Sequence, residues 1–249
     1  MAGLTVAQVA ARTSSSLNSD PSTPSGEEEF ESGALFDETA SAYSRIRSRT
    51  ESIMSELLNN NVRQSVAPYT KISPWATLSP IQTGGADSPS STTAELDGLL
   101  QNLQTLLAYL VRALGTVPLR RLAKQMLHAL ESTLLDQIIM RHSFSGAGVT
   151  QLAIDINAVG SVVARAVDVA MVDVGMGKIH QAVKLLGLPI KPSKEDDDEA
   201  DELGLFEVSK RLFEGSGEDA RNVLDEMGLD RLSVGEARKT LARRVELGS

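Results

Sequence analysis

From Leu35 onward, apolar residues return at steps of three and four, the spacing that lines one face of an α-helix. Leu35, Phe36, Ala40, Tyr43, Ile46, Ile53, Leu57, Leu58 and Val62 predict one long helix over about residues 37–66, ended before Pro68. Thirty residues at 1.5 Å each would reach roughly 45 Å. Arg45, Arg47, Arg49 and Glu51 fall mostly between these positions, as a solvated face or a partner surface. A leucine face from Leu96 to Leu114 predicts a helix over 94–114, with Thr92-x-x-Glu95 as its capping box and Gly115 as its stop. Thr116 then reads as the cap of a third helix, with Pro118 in the first turn and apolar positions from Leu119 to Ile139.

The centre of the pattern is Leu134–Val163. Leu134, Leu135, Ile138 and Ile139 end one helix; a short hinge, His142–Gly148, follows; Val149, Leu152, Ile156, Val159 and Val163 predict a second helix over 148–166. Gly146 and Gly148 flank the turn, where a left-handed backbone costs little, and Phe144 is expected to plug the space between the helices. Gln151 and Asp155 stand at i and i+4, able to bond to the first helix or the turn. A helix or a pair of helices continues to Leu186, with Gly175 and Gly177 as a break. Farther on, Ser216 caps a run that Gly228 ends, and Ser233-x-x-Glu236 is a second capping box. The helix it opens carries Arg238, Lys239, Arg243 and Arg244 on one side.

No period-two segment lies between hairpin turns, so the fold class is all-α, an antiparallel helical bundle without a sheet. Residues 1–33, rich in Ser, Thr, Pro and Glu, bury too little to offset chain entropy and are expected to be a disordered tail. The expected organisation is then a helical bundle over 34–193 with a flexible loop at 68–91, an acidic linker at 194–202 (KEDDDEADE) and a C-terminal helical subdomain at 203–249. Trp75, the one tryptophan, sits in the loop as an anchor onto the neighbouring core.

Composition sharpens this in three ways. The 249 residues suffice for one large or two small domains, and with only 4% aromatics the packing falls to Leu, Ala, Val and Ile. Without cysteine there is neither a disulfide framework nor thiolate-bound zinc. The formal charge of -9 is uneven: roughly -4 over residues 1–90, +1 over 91–190 and -6 beyond. An acidic chain with no basic stripe argues against non-specific nucleic-acid binding and against direct adsorption to anionic lipid. No run of about 18 apolar residues predicts a membrane span. The first residues lack a signal core; a transit peptide is the minor alternative there.

The search for chemistry returns little. His128, His142 and His180 are not at ligand spacing, and there is no HExxH, GxxxxGK[ST] or GxSxG. Gly175-Met-Gly-Lys178 is too short to cradle phosphates, and the acidic run lacks the spacing of a calcium loop. His142, Ser145 and Asp155 form the one conceivable catalytic constellation, but apolar helices on both sides predict packing there. No catalytic residue, cofactor site or metal ligand is assigned, and the chain is expected not to be an enzyme.

The stretch RHSFSGAGVTQLAIDINAV resembles the C-terminal signature of the RINT/TIP family of endoplasmic-reticulum tethering subunits, through Phe144, Gly146, Gly148, Gln151, Leu152 and Asp155. The segment RNVLDEMGLDRLSVGEARKTLARRVE is similar to that family's closing motif through Leu224, Gly228, Leu229, Leu232 and Glu236, and LFDETASAYSRIRSRTESIMSELL looks like an upstream helix. The acidic insert at 194–202 and the Gly/Ser loop at 82–93 depart from it. The resemblance implies the all-helical end of a tethering-complex rod, corresponding to the C-terminal part of longer family members. It implies a non-enzymatic subunit of the complex called NRZ in animals and Dsl in yeast. Such a subunit would sit peripherally on the cytoplasmic face of the endoplasmic reticulum and bind other tether subunits and ER SNAREs. It would act in retrograde Golgi-to-ER transport of COPI vesicles. It would reach the membrane through these partners, without a transmembrane segment or nucleic acid. The alternative is a generic helical adaptor in checkpoint or repair signalling.

Overall fold

A computed structural model describes residues 26–78, 91–190 and 203–248, with side chains from Phe36 onward. Among them every regular element is helical, and the sole β-type pairing is an isolated bridge between Phe144 and Arg244. Helix α1 spans Gly26–Thr70, starting inside the stretch expected to be a tail and running through Pro68. Residues 1–25, the acidic run at 194–202 and loop residues 79–90 lie outside the described residues.

The chain packs as two units that divide within α1, between Glu56 and Leu57. In the first unit α1 leaves Phe36, Tyr43, Ile46 and Ile53 exposed, and Arg47 faces Glu51 one turn on at 3.6 Å.

In the second unit α1 buries Val62, Val66 and Tyr69. A 3-10 turn, Ala94–Leu96, leads into α2 (Asp97–Ala113); α3 is Thr116–Leu134, α4 Gly146–Ala166 and α5 Val169–Leu186. Leucines 99, 103, 107 and 110 form the buried face of α2, as their spacing requires. Two-residue connections at Leu114–Gly115 and Val167–Asp168 reverse the chain between α2 and α3 and between α4 and α5. The four helices close a bundle in which α4 packs on both α2 and α5, and α5 on α3. The C-terminal helices α6 (Leu205–Phe213), α7 (Gly217–Glu226) and α8 (Val234–Leu241) pack on one another, with α8 docking on α5.

The capping signals fare unevenly. Ser216 with Asp219 and Ser233 with Glu236 form complete boxes at α7 and α8. Thr92-x-x-Glu95 forms none, because the neighbouring Thr93 spends its hydroxyl on Asp155 and α2 proper begins only after the 3-10 turn. Thr116 lies within α3, whose N-cap is Gly115. At its other end α3 widens into one π-helical turn, Leu135–Ile139, closed by Met140 N–H donating to Leu135 O at 2.9 Å.

Gly175 and Gly177 do not break α5, which is continuous. A Cβ at Gly175 would stand 2.6 Å from Leu127 Cβ, so the glycine lets α3 and α5 approach closely. Glu131, buried on α3, reaches the same place: its Oε1 accepts from Lys178 N–H at 2.8 Å and Ile179 N–H at 3.1 Å, while Oε2 lies 3.6 Å from His128 Nδ1.

Helix α4 is long and apolar enough to cross a membrane by length and mean hydropathy, 1.3 over its best window. Here it is the central helix of the bundle, half of that window is buried, and it carries Asp155, whose carboxylate accepts four hydrogen bonds.

Candidate functional site

The residues singled out from the sequence converge on a junction of distant segments. Asp155, fully buried on α4, accepts from Tyr69 Oη at 2.8 Å, Thr93 N–H at 2.8 Å, Thr93 Oγ1 at 2.6 Å and Gln151 Nε2 at 3.2 Å. Gln151 also donates to Ser91 O at 3.0 Å. One carboxylate thereby ties the end of α1 and the approach to α2 onto α4. Burial, with Asp155 beside it, pushes the Tyr69 phenol above its ordinary range.

Below Asp155 the hinge is welded on two sides. Phe144, fully buried, stacks beside Trp75 with ring centroids 5.9 Å apart, and Trp75 meets Tyr69 edge-on at 5.6 Å. Its backbone pairs with the C-terminal segment: Phe144 N–H donates to Arg243 O at 2.8 Å, and Val245 N–H to Phe144 O at 3.1 Å. Phe144 therefore fills the space between the Trp75 loop and residues 243–245, where the sequence placed it between two helices. Ser145 caps α4 by accepting from Gly148 N–H, and its hydroxyl lies 2.8 Å from Leu78 O. Arg244, 3% exposed, donates through Nη1 to Leu186 O and Leu188 O and through Nε to Glu246 at 2.9 Å. Sequence reasoning grouped Arg244 with three surface cations; its position one residue past Arg243 in a strand-like step turns it inward.

The glycines act differently from their sequence reading. Neither Gly146 nor Gly148 takes a positive φ; both stand in the first turn of α4. Gly148 is required by proximity, since a Cβ there would lie 2.8 Å from the Trp75 carbonyl carbon. At Gly146 a Cβ would meet only Arg244 Nη2, at 3.9 Å. Among the described residues the left-handed glycine is Gly228, with φ of 67°, just past α7. Leu224 and Leu232 on either side of it are buried, and Gln181 of α5 latches the turn by donating to Gly228 O at 3.2 Å and accepting from Arg231 N–H at 2.8 Å. Leu152 is fully buried in the α4 face.

No reacting centre is assembled here. The hydrogen bonds of Asp155 and Ser145 go to Tyr69, Thr93, Gln151 and backbone groups, and none goes to His142. His142 is half-buried, and burial followed by the charge of Arg141 lowers its pKa. Among the described residues no cluster of His, Asp and Glu could hold a metal ion.

The surface of the described residues carries several hollows. A cleft of about 820 Å³ opens along α4 and α5 beside the Gly228 turn, walled by Asn157, Ser161, Asp173, His180, Gln181 and Arg231. At the end of the bundle formed by the two short connections, Arg120 of α3 meets Asp168, the N-cap of α5, at 3.1 Å, so both turns lie side by side. A groove of about 350 Å³ between α2 and α4, lined by Ala108, Val111 and Val162 with Arg112 and Arg165, opens at that end.

Residues 5–244 match the family model described as RINT-1/TIP-1 family. No curated protein and no solved structure matches the chain. The family match supports a role in vesicle tethering and endoplasmic-reticulum-related transport in broad terms. Because the match spans nearly the whole sequence, the chain belongs to the RINT-1/TIP-1 family.

Proposed function

We propose that this chain works as a non-enzymatic, C-terminal helical part of a tether. In this reading it sits on the cytoplasmic face of the endoplasmic reticulum, in a complex of the NRZ or Dsl kind. It contributes to retrograde Golgi-to-ER transport of COPI vesicles by binding other tether subunits and ER SNAREs through its helix surfaces. The observation that carries this is the family match over residues 5–244, on a fold whose buried carboxylates Asp155 and Glu131 are consumed by packing. Polar side chains spent on holding segments together leave the outer helix faces as the working part.

The test is affinity capture with the tagged chain from cells, followed by depletion and rescue. The reading expects tether subunits and ER SNAREs in the captured set, and slowed return of a Golgi-to-ER cargo that the chain restores. Capture of nuclear partners alone, with cargo return normal after depletion, would instead point to an adaptor outside the secretory pathway.

A further inference from the structure

We propose that the part of α1 in the first unit pairs with the same helix of a second copy of this chain, as a parallel, in-register coiled coil. Phe36, Tyr43, Ile46 and Ile53 are exposed by 47%, 61%, 63% and 49%. Their spacing is that of a heptad seam: Phe36, Tyr43 and Thr50 fall at one core position, Ile46 and Ile53 at the other. At 3.6 residues per turn all five lie within an arc of about 100° on the helix. Ser41, Arg45, Ser48 and Ser52 occupy the opposite side. Thr50 can be covered without losing a hydrogen bond, because its hydroxyl already donates to Ile46 O at 2.9 Å. No residue from Phe36 to Glu56 is buried. Helices in proteins hold through a packed face, and a stretch this rich in serine gains little stability alone. The seam is a face shaped for packing that the chain leaves in water.

The flanking charges select the direction of the second copy. Arg47 and Arg49 border the seam near its middle, and Arg47 also faces Glu51 of its own helix at 3.6 Å. In an antiparallel pair centred on the seam, Arg47 would stand against Arg47 of the second copy, and Arg49 against Arg49. Sliding that pair by one heptad sets Arg49 beside Glu56 but turns Tyr43 against the polar Asn60. In the parallel register Arg47 borders Ala42 and Arg49 borders Met54, so no like charges meet. Phe36, Tyr43, Ile46 and Ile53 then each pack on their own counterpart. Covering the seam on both copies removes on the order of 1,000 Å² from water, the lower edge of specific interfaces, so the dimer is weak and depends on concentration. The inference goes beyond the tether reading and does not rest on it.

The test is sedimentation equilibrium of the full chain from about 2 to about 200 μM, across which the mass is expected to rise from monomer to dimer. The double variant Ile46→Glu, Ile53→Glu sets four carboxylates into the seam and is expected to stay monomeric throughout. Its urea midpoint followed by Trp75, buried in the second unit, is expected to equal that of the unsubstituted chain at low concentration. Because the chain has no cysteine, single thiols report the direction of pairing. Ile53→Cys is expected to crosslink to its counterpart on mild oxidation, and Ser48→Cys, on the outer side, is not. An antiparallel pair centred on the seam would hold the two positions 53 about 15 Å apart along the axis. A monomer at every concentration, association undiminished in the double variant, or crosslinking at 48 in place of 53 overturns the proposal. So does binding of a different helical protein that the double variant loses while the unsubstituted chain alone stays monomeric, which assigns the seam to that protein.

Discussion

Replacing Asp155 with alanine strands three donors at once: Tyr69 Oη, Thr93 N–H and Thr93 Oγ1. A buried donor left without a partner costs about 1–3 kcal/mol, and a hydrogen bond to a charged group contributes about 1.5–3. The losses share one site and do not add; hydroxyls can turn and water can enter the space. A total of about 3–5 kcal/mol is expected, as for breaking other buried charged networks. Asp155→Asn keeps the shape and one oxygen. If that oxygen faces Thr93 N–H, the new amide meets two hydroxyls that can accept, and the cost falls to about 1–2 kcal/mol. Trp75, the sole tryptophan, is fully buried beside Tyr69, so its fluorescence reports this junction during urea unfolding. With a slope near 2 kcal/mol per molar, the alanine variant should shift the midpoint down by about 1.5–2.5 M. A shift below about 0.5 M, or equal shifts for alanine and asparagine, would refute the view that this carboxylate holds the segments together.

Other substitutions probe neighbouring claims. Gly148→Ala should destabilise by about 1–3 kcal/mol or more, because the Trp75 backbone must move, whereas Gly146→Ala should be neutral or slightly stabilising; thermal melts of the pair decide it. Phe144→Ala should cost about 3–5 kcal/mol in the same urea assay; an unchanged midpoint would mean the ring is not part of the core. Lys178 and the Ser233 cap hold the Glu236 carboxyl down at about 2, against an ordinary 4.5. A depressed folded-state pKa stabilises above the unfolded value, so this contribution is present at neutral pH and is lost as pH falls from about 4.5 towards 2. Glu236→Gln should therefore flatten that part of the acid-unfolding curve, by an amount kept small because the pair is partly exposed.

Helices whose apolar spacing is regular were legible with useful precision. The leucine face of α2 and the boxes at Ser216 and Ser233 depend on residues within a few positions of one another. What escaped was set by partners far away in sequence. The box expected at Thr92 does not form, and its neighbour Thr93 turns to a buried carboxylate 62 residues on. Pro68 does not end α1, since a proline near the end of a helix lacks only one N–H there and the turn continues to Thr70. Gly148 and Gly175 look like flexible points in a string of letters; their purpose is visible only once Trp75 and Leu127 stand opposite them. Arg244 has no local signal at all for burial, and the carbonyls it satisfies belong to Leu186 and Leu188.

The wide sequence separations at the junction bear on how fast the molecule comes apart. Tyr69 lies 86 residues from Asp155, and Phe144 meets the strand-like step at Arg243 across a still longer separation. Helix pairs such as α2–α3 and α4–α5 close short loops and can assemble early, whereas ordering the chain between such remote positions comes late on the route to the native state. Contacts made after the barrier leave the refolding rate nearly untouched and govern the escape rate. The junction is therefore a kinetic clasp: loosening it should shorten the lifetime of the folded molecule while the chain refolds at almost its original speed.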